Sequence, residues 1–498
     1  MILKKLTEMK VAPKQLISSD KFFEAVSLLI LISLFLKSII DIDGSWDTWN
    51  YHLPFAARLW GIVTENNYVF TDQLEYRFDG FPLLAHFIQG FFWFTFKHVQ
   101  ATNLVSFISF IAYLCFMKTY LQVPLYLSTI ALLAVPLVQI HVTSSYVDLF
   151  ANICTSILVI MTYLLYARNN FYNKRNFMVA ILAAFFAANT KMQLIPIVML
   201  ILCFFIIKII SLIKSSNERN KIKFKKVLAV GIASIFVFAV PIKNTLFYGN
   251  PAYPVKLEIL GTTLNYEEDP HKSMPNYLKK SPQFQRWIYS VLEINTFDKN
   301  RPRTWTIGQG NLPNKSKSKA WKMGGYFGIY VVFNVVLLGY MFCKFRCRES
   351  SVALILFTLI SIITSTMIQS HLLRYYMYWV ICLISLNLHL IVSTNYSIKK
   401  LRIVNIRNIR VAYLFFLACV VALTSATYIL PRFYTLEKRM QGVVDQSILN
   451  RINEGDRVCI VNEQPNTFLY ASKFHPPSTY LIKEAKKSEE CGSRRVIQ

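Results

Sequence analysis

The sequence has few acidic side chains and lacks the motifs that mark several common enzyme classes. It contains 27 Asp and Glu against 54 Lys and Arg, which gives a formal net charge of +27. No Walker loop, dinucleotide-binding glycine fingerprint or Gly-x-Ser-x-Gly nucleophile elbow occurs in it. No Cys/His arrangement has the spacing of a zinc site. These absences argue against a P-loop enzyme, a dinucleotide-binding enzyme, an α/β-hydrolase and a zinc module.

The basic excess does not indicate nucleic-acid binding, because the sequence is strongly apolar. Hydrophobic residues make up 54% of it and aromatic residues 15%. Repeated apolar runs, many of about 16 to 22 residues, match the roughly 20 residues that a helix needs to cross a bilayer. Lys and Arg are expected in the cytoplasmic loops of such proteins, and no basic module with an aromatic platform is visible. The sequence therefore predicts an all-α polytopic membrane protein that binds membrane lipids and no nucleic acid.

If successive apolar runs cross the membrane in opposite directions, the sequence predicts about eleven transmembrane helices. Every short basic loop then lies in the cytoplasm, as expected of membrane proteins. The basic N-terminus precedes a run without a small-residue cleavage site, which favours a retained signal anchor. Segment 81–96 fits this order only as an interfacial or re-entrant helix on the outer surface. The N-terminus is then cytoplasmic and the C-terminus extracytoplasmic, in the cell (inner) membrane. The predicted crossings are 22–40, 99–117, 121–140, 147–166, 177–190, 192–213, 227–242, 323–342, 352–368, 375–392 and 411–430.

The same reasoning divides the chain into a transmembrane domain, residues 1–430, and a small extracytoplasmic α/β tail, residues 431–498. Within the tail, residues 457–463 have the composition of a strand. Cys459 and Cys491 can pair there if the tail is exported. The transmembrane domain carries a first outer loop, 41–98, and a long outer loop, 246–322. The long loop either caps a cavity and binds an acceptor or is merely solvated.

Segment 41–60, DIDGSWDTWNYHLPFAARLW, concentrates polar side chains where the first helix leaves the membrane. Tryptophan and tyrosine interleave the charges, as they do at membrane interfaces. A plain alternative is that such a cluster only marks the end of a helix, because water lies close by. Its charged and titratable side chains are Asp41, Asp43, Asp47, His52 and Arg58.

A second carboxylate, Asp148 in HVTSSYVDLF, begins a crossing on the same predicted side. It could serve only the helix dipole, but a carboxylate close to hydrocarbon is costly and is a functional hypothesis by default. Other polar residues on this side have plain alternatives as well. Lys191 can snorkel, Arg374 can anchor a rim, Arg77 can be solvated, and Asn244 can belong to a rigid Pro- and Gly-rich turn.

Taken together, these residues fit one chemistry. Carboxylates in a cavity at the membrane surface can act as general bases, while cations stabilise a phosphate leaving group. A donor supplied outside the cytoplasm is not a nucleotide sugar, so a lipid-linked sugar is the expected donor.

At this point the sequence resembles the GT-C superfamily of membrane glycosyltransferases, in particular the protein O-mannosyltransferase and lipid A aminoarabinose transferase branches. The resemblance covers roughly residues 20 to 400 and depends on the order of several short motifs. They are Asp47 and Tyr51 in DTWNYHLP, Asp148 in SSYVDLF, Lys191 in AANTK, the stretch from Asn244 to Pro254, and the pair Arg374 and Tyr375.

The resemblance implies a GT-C-like fold and an inverting sugar transfer from a polyprenyl-phosphate-linked donor to a glycan, lipid or protein acceptor of the cell envelope. Asp47 would deprotonate the acceptor, and Asp148 would orient acceptor or donor. Thr48 stands where many members have Glu, which leaves a divalent cation uncertain; Asp43, Asp47 and Asp148 are its candidate ligands, with Asp41 as a substitute. The implied substrate-binding residues are Tyr51, His52, Arg77, Lys191, Asn244, Arg374 and Tyr375.

Two other functions stay open on sequence grounds. An O-antigen-type polymerase or ligase is also polytopic with basic outer loops, but it lacks an Asp directly after the first helix. A lipid or glycan transporter often shows internal repeats with broken helices that meet at mid-bilayer. No such repeat is visible here, and the polar residues cluster on one predicted face.

Overall fold

The computed structural model describes residues 14–168, 171–215, 220–270, 281–293, 325–397, 406–461, 466–485 and 487–497. Most of the basic and aromatic part of the long outer loop, for which a cavity cap and a solvated loop both stay open, lies outside these described residues. Two segments of that loop are described, and they form a short hairpin and one helix.

The described chain is built mainly of α-helices. The helices of the apolar bundle are α1 (Lys14–Ile40), α5 (Leu104–Leu121), α6 (Leu125–Leu133), α7 (Pro136–His141), α8 (Asp148–Ala167), α9 (Lys174–Ala188), α10 (Ile195–Ser215), α11 (Asn220–Val237), α12 (Ala239–Tyr248), α14 (Tyr326–Lys344), α15 (Arg348–Thr366), α16 (Tyr378–Ser397) and α17 (Ile406–Leu423). The helices of the loops and the tail are α2 (Leu53–Leu59), α3 (Asp72–Gly80), α4 (Leu84–Phe96), α13 (Gln283–Val291), α18 (Leu436–Val443) and α19 (Gln446–Leu449).

Each predicted crossing falls on one of these helices or on a consecutive pair, and the predicted helical membrane fold is confirmed. Among the described residues, seven helices are long and apolar enough to span a membrane, or up to eight if the bent pair Val227–Val237 and Ala239–Tyr248 is one span. The other predicted crossings correspond to the shorter helices α6, α7 and α9 and to the apolar part of α16, Tyr378–Ser393. One of them is divided because α7 begins at Pro136, whose ring cannot donate the backbone bond that would continue α6. Eleven crossings and their orientation therefore stay predictions.

Helix α4, within the predicted interfacial segment 81–96, is two-sided. His86, Gln89 and Trp93 are buried against the protein, whereas its phenylalanines face outwards. Gly90 lets α2 approach, because a Cβ atom there would overlap the Trp60 ring and the Ala56 carbonyl. This division of polar and apolar faces is the one expected of a helix that lies along a membrane surface.

The tail forms a four-stranded parallel sheet that includes a strand from the first outer loop. The strands are β1 (Tyr68–Val69), β4 (Arg457–Val461), β5 (Leu481–Ala485) and β6 (Arg495–Ile497), arranged in the order β1-β5-β4-β6. The predicted strand within 457–463 is present as β4. Tyr68 pairs with Ile482, more than 400 residues further along the chain. The short hairpin of β2 (Glu258–Ile259) and β3 (Thr262–Thr263) stands apart in the long outer loop.

The tail and the first outer loop share one hydrophobic core. Its buried residues from the loop include Trp49, Phe55 and Tyr68, and those from the tail include Phe468 and Ile482. Apolar burial favours association of the two segments by roughly 25 cal/mol per Å² removed from water. The tail is therefore packed against the first outer loop, although the two are far apart in sequence.

The structure joins Cys459 on β4 to Cys491 in a disulfide bond. Peptide mapping without reductant should find these two cysteines in one cross-linked peptide, because disulfides persist in oxidising compartments. Cys343 and Cys347 are free and exposed at a predicted cytoplasmic turn, and they should be alkylated in the same sample. Alkylation of Cys459 without reductant would contradict both the pairing and the predicted export of the tail.

Candidate active site

The first outer loop begins as an extended segment after α1 and then forms a π-helical turn, Thr48–His52, directly followed by α2. π-Helical turns are rare and are frequent at functional sites. Asp47 is the residue that precedes this turn. Its side chain consequently leaves the loop at a point fixed by the turn and by α2.

The Asp43 carboxylate holds the loop to the segment that precedes Asp148. It accepts hydrogen bonds from the backbone and hydroxyl of Ser45, at 2.9 and 2.6 Å, and from the Thr48 hydroxyl at 2.7 Å. It also accepts a bond from the Ser145 amide at 3.0 Å. Asp43 is thus fully engaged by protein donors, and its observed role is structural.

The Asp41 carboxylate is engaged in a similar way. It pairs with Lys37 at 2.6 Å and accepts the backbone amides of Arg432 and Tyr434, at 2.8 and 3.1 Å. Asp41 therefore ties the end of α1 to the start of the tail.

Asp47 makes a different contact, an ion pair with Arg374 at 2.8 Å. Arg374 lies in a 3₁₀ turn, Leu373–Tyr376, between α15 and α16. Its guanidinium lies over the rings of Tyr146 and Tyr375, at 5.2 and 5.0 Å from their centroids. The two aromatic faces and the carboxylate hold the guanidinium in one orientation.

A second ion pair joins Asp148 and Lys191. Asp148 is the first residue of α8 and is only 1% exposed. Lys191 lies in the turn after α9, and its ammonium is 4.2 Å from the centroid of the Tyr375 ring. The Tyr375 ring therefore contacts both cations, and the two ion pairs form one cluster.

Tyr51 and His52 lie on the π-helical turn beside this cluster. Burial raises the pKa of Tyr51 well above its usual value, and the Asp47 carboxylate adds to the shift. His52 shares a hydrogen bond of 2.8 Å with His86 of α4. Burial lowers the pKa of both imidazoles, that of His86 to about 3, so both are neutral near pH 7.

Three residues of the site were not predicted: His86, His141 and Tyr146. The Tyr146 ring meets the rings of His52 and His141 edge to face, at 5.4 and 5.0 Å. Burial lowers the pKa of His141 to about 4, although Asp148 opposes the shift. His141 and Tyr146 belong to the same HVTSSYVD segment as Asp148, and this proximity in sequence could have indicated them. His86 lies in an aromatic helix and gave no separate signal.

Two predicted substrate-binding residues lie outside the cluster. Arg77 pairs with Glu268 of the long outer loop, and its guanidinium is 5.7 Å from the Tyr51 ring centroid, at the edge of the site. The Asn244 amide donates to the backbone carbonyls of Gly80 and Tyr253, at 2.8 and 3.0 Å. Asn244 thus fastens the Pro-rich turn to α3, and a role of either residue in substrate binding stays a prediction.

The suggested divalent cation finds no prepared site in the described part of the chain. No group of three or more His, Cys, Asp or Glu side chains that could hold a metal ion occurs there. The three candidate carboxylates are engaged by other groups: Asp43 by hydroxyls and amides, Asp47 by Arg374, and Asp148 by Lys191. The described residues as placed do not fit a metal centre.

The described chain has the architecture of a polytopic helical membrane protein, as the sequence predicted. Among solved structures, the chain is similar to ArnT from Cupriavidus metallidurans in the apo state, with a TM-score of 0.51 at 11% identity over 96% of this chain and 87% of that one. It is also similar to the same protein bound to undecaprenyl phosphate, with a TM-score of 0.50 at 11% identity over 95% and 87%. No family model and no curated protein shows a significant match. The similarity concerns the fold.

The neutral His52–His86 pair should make stability depend on pH. The unfolded chain takes up a proton at His86 near pH 6.5, whereas the folded imidazole resists protonation down to about pH 3. As the pH falls from 6.5 towards 3, the free energy of unfolding therefore decreases by up to ~1.4 kcal/mol per pH unit because of this group. His86→Gln should reduce the fall in thermal midpoint between pH 7 and pH 5 in detergent solution. Exposed His98→Gln is the control; equal pH slopes in wild type and His86→Gln would exclude this origin.

Proposed function

We propose that this protein transfers a sugar from a polyprenyl-phosphate-linked donor to a hydroxyl group of a cell-envelope acceptor on the extracytoplasmic face. The observation that carries the proposal is the cluster of two ion pairs, Asp47 with Arg374 and Asp148 with Lys191, joined by the Tyr375 ring. It brings a candidate base and two candidate phosphate-binding cations into one site. The fold of ArnT, one of whose structures contains undecaprenyl phosphate, supports a lipid-phosphate donor.

In the proposed reaction Asp47 accepts the proton of the acceptor hydroxyl. The acceptor oxygen then forms a bond to the anomeric carbon from the face opposite the phosphate, and the bond from that carbon to the phosphate oxygen breaks. The configuration at the anomeric carbon inverts, and the polyprenyl phosphate leaves with the bonding electron pair. The base takes the proton, so no further reactant is needed.

Arg374 has two tasks in this scheme. Before the donor binds, its guanidinium pairs with the Asp47 carboxylate at 2.8 Å. A donor phosphate beside Arg374 would compete for the guanidinium, weaken the pair with Asp47 and thereby free the base. The same guanidinium would stabilise the negative charge that develops on the leaving phosphate.

Lys191 and Asp148 complete the site in the proposal. Lys191 offers a second cation to the phosphate, and Asp148 fixes the direction of its ammonium through their ion pair. Asp148 is itself held at the start of α8, where a carboxylate is favoured by the helix dipole. Tyr51 is only partly buried beside Asp47, and a sugar ring can pack against its ring in the proposal.

An apolar groove lined by α13, α14 and α15 is a candidate site for the lipid chain of the donor. It has a volume of about 610 Å³ and lies between α14 and α15, next to α13. Trp379, at the start of α16 and five residues after Arg374, contacts its wall through the rings of Trp287 and Phe357, each at 5.2 Å, and the Ser361 hydroxyl at 2.7 Å. Through Trp379, the wall of this groove is connected along the chain to the 3₁₀ turn that carries Arg374.

Replacing the base should abolish transfer. Asp47→Asn should lower kcat by about 10²- to 10⁴-fold, the usual contribution of a general base. Sugar transfer from a polyprenyl-phosphate donor by the purified protein measures it, and Asp72→Asn, at an exposed carboxylate in the same loop, is the matched control. Normal transfer by a folded Asp47→Asn protein would remove Asp47 as the base.

Filling the groove should select against long lipid chains. Gly339 lines the groove, and a Cβ atom there has no neighbour within 4 Å, so Gly339→Phe should fold. We expect KM to rise about tenfold for a long-chain donor, since this equals the loss of about two buried CH₂ contacts, and to change little for a short-chain donor. Gly231→Phe, at an exposed glycine of α11 with equal space, is the control. Equal KM changes for both chain lengths would exclude the groove as the lipid site.

A further inference from the structure

We propose that the C-terminal tail positions Asp47, so that the tail is part of the catalytic apparatus although none of its described residues belongs to the charged cluster. The inference rests on the proposed function of Asp47 as the base. The contacts that would position Asp47 are those of Trp49 and Arg439 together with the pairing of β1 with β5, and we call this set of contacts the brace. The brace fixes the π-helical turn on the side away from Arg374.

Trp49 is the central residue of the brace. It lies on the π-helical turn two residues after Asp47 and is completely buried. Its indole nitrogen donates to the Asp43 carbonyl at 2.6 Å, and its ring packs against Phe468 and Phe474 of the tail, at 6.5 and 6.4 Å between centroids. The turn is therefore anchored by an aromatic side chain whose apolar contacts include the tail.

Arg439, on tail helix α18, also contacts the Trp49 side chain. Its guanidinium lies 5.0 Å from the Trp49 ring centroid. It donates to the Gly44 carbonyl at 3.4 Å and to the Asn466 side chain at 3.0 Å. One buried tail side chain thus contacts the loop on both sides of Asp47 in sequence, at Gly44 and at Trp49.

Two further attachments hold the tail to the loop. Beyond α2, the Tyr68 hydroxyl donates to the Glu484 carboxylate at 2.5 Å, and the Ile482 amide donates to the Asn67 carbonyl at 3.1 Å. Before the turn, the Ile42 amide donates to the Tyr434 carbonyl at 2.7 Å. The loop consequently contacts the tail before Asp47 at Ile42, two residues after Asp47 at Trp49, and further along the chain at Tyr68.

The effect on catalysis follows from the short distance along the chain between Asp47 and Trp49. Asp47 faces Arg374, whereas Trp49 faces the tail, so a rotation of the turn about its axis moves both side chains together. A misplacement of about 1 Å at a reacting group can cost about a hundredfold in rate. Removing tail contacts to Trp49 should therefore lower kcat while leaving donor binding by Arg374 and Lys191 unchanged.

The test compares Arg439→Ala with Arg439→Lys and with Lys438→Ala, a neighbouring exposed residue outside the brace. Arg439→Ala should lower kcat by about 10- to 100-fold with the donor KM within about twofold of wild type. Arg439→Lys, which keeps a cation over the Trp49 ring, should restore part of the loss. A kcat loss no larger than that of Lys438→Ala, or a change in donor KM alone, would overturn the proposal.

Hydrogen exchange of the same proteins separates this inference from the proposed function. In Arg439→Ala, the amides of residues 48–53 should exchange faster than in wild type, while those of residues 373–376 should not change. This readout needs no activity, so it reports on the brace even if wild-type protein transfers no sugar. Should Arg439→Ala fail to fold, Glu484→Gln, which weakens the attachment at β1, takes its place. Unchanged exchange of residues 48–53 in the folded variant would overturn the brace.

Discussion

The structure depends on mutual neutralisation of charges that are buried together at one end of the helix bundle. Moving a carboxylate or an ammonium out of water costs several kcal/mol, and the cost is offset only when a partner lies close in good geometry. Asp148 and Lys191 meet this requirement as one pair, and Asp47 and Arg374 as another. The Tyr375 ring lies against both cations and makes the pairs one unit. An anion such as a phosphate can enter this unit by exchanging partners, without leaving an isolated buried charge.

The remaining carboxylates of the first outer loop show how similar residues take different roles. Asp41 and Asp43 are occupied by backbone amides, hydroxyls and a lysine, and they join the loop to the tail and to the segment before Asp148. Asp47 instead faces the Arg374 guanidinium, which a donor phosphate would compete for in the proposed reaction. The loop therefore has two rigid attachments around one exchangeable contact. This division suits the proposed role of Asp47, since a general base must be held in place and still be able to accept a proton.

Much of the fold and part of the site could be predicted because both follow from local patterns. Long apolar runs locate the bundle helices, and the sidedness of Asp47, Asp148, Lys191 and Arg374 follows from counting crossings. Local patterns could not distinguish Asn244 from the residues that belong to the charged cluster. Its side-chain amide donates to two backbone carbonyls instead. Local patterns also could not find His86, which reaches the site from a neighbouring helix. Side-chain direction depends on packing between segments distant in sequence, and a single sequence does not contain that information in readable form.

The sequence by itself determined that this is a helical membrane protein with acidic and basic residues gathered at one predicted face, because hydrophobicity and charge are properties of each segment alone. Only the tertiary structure decided which acid meets which base, and it joined the C-terminal tail to the first outer loop through β1 and Trp49. Strand pairing and aromatic contacts between residues some 400 positions apart arise from complementary surfaces. Those surfaces exist only once the helices have brought both segments to the same end of the bundle.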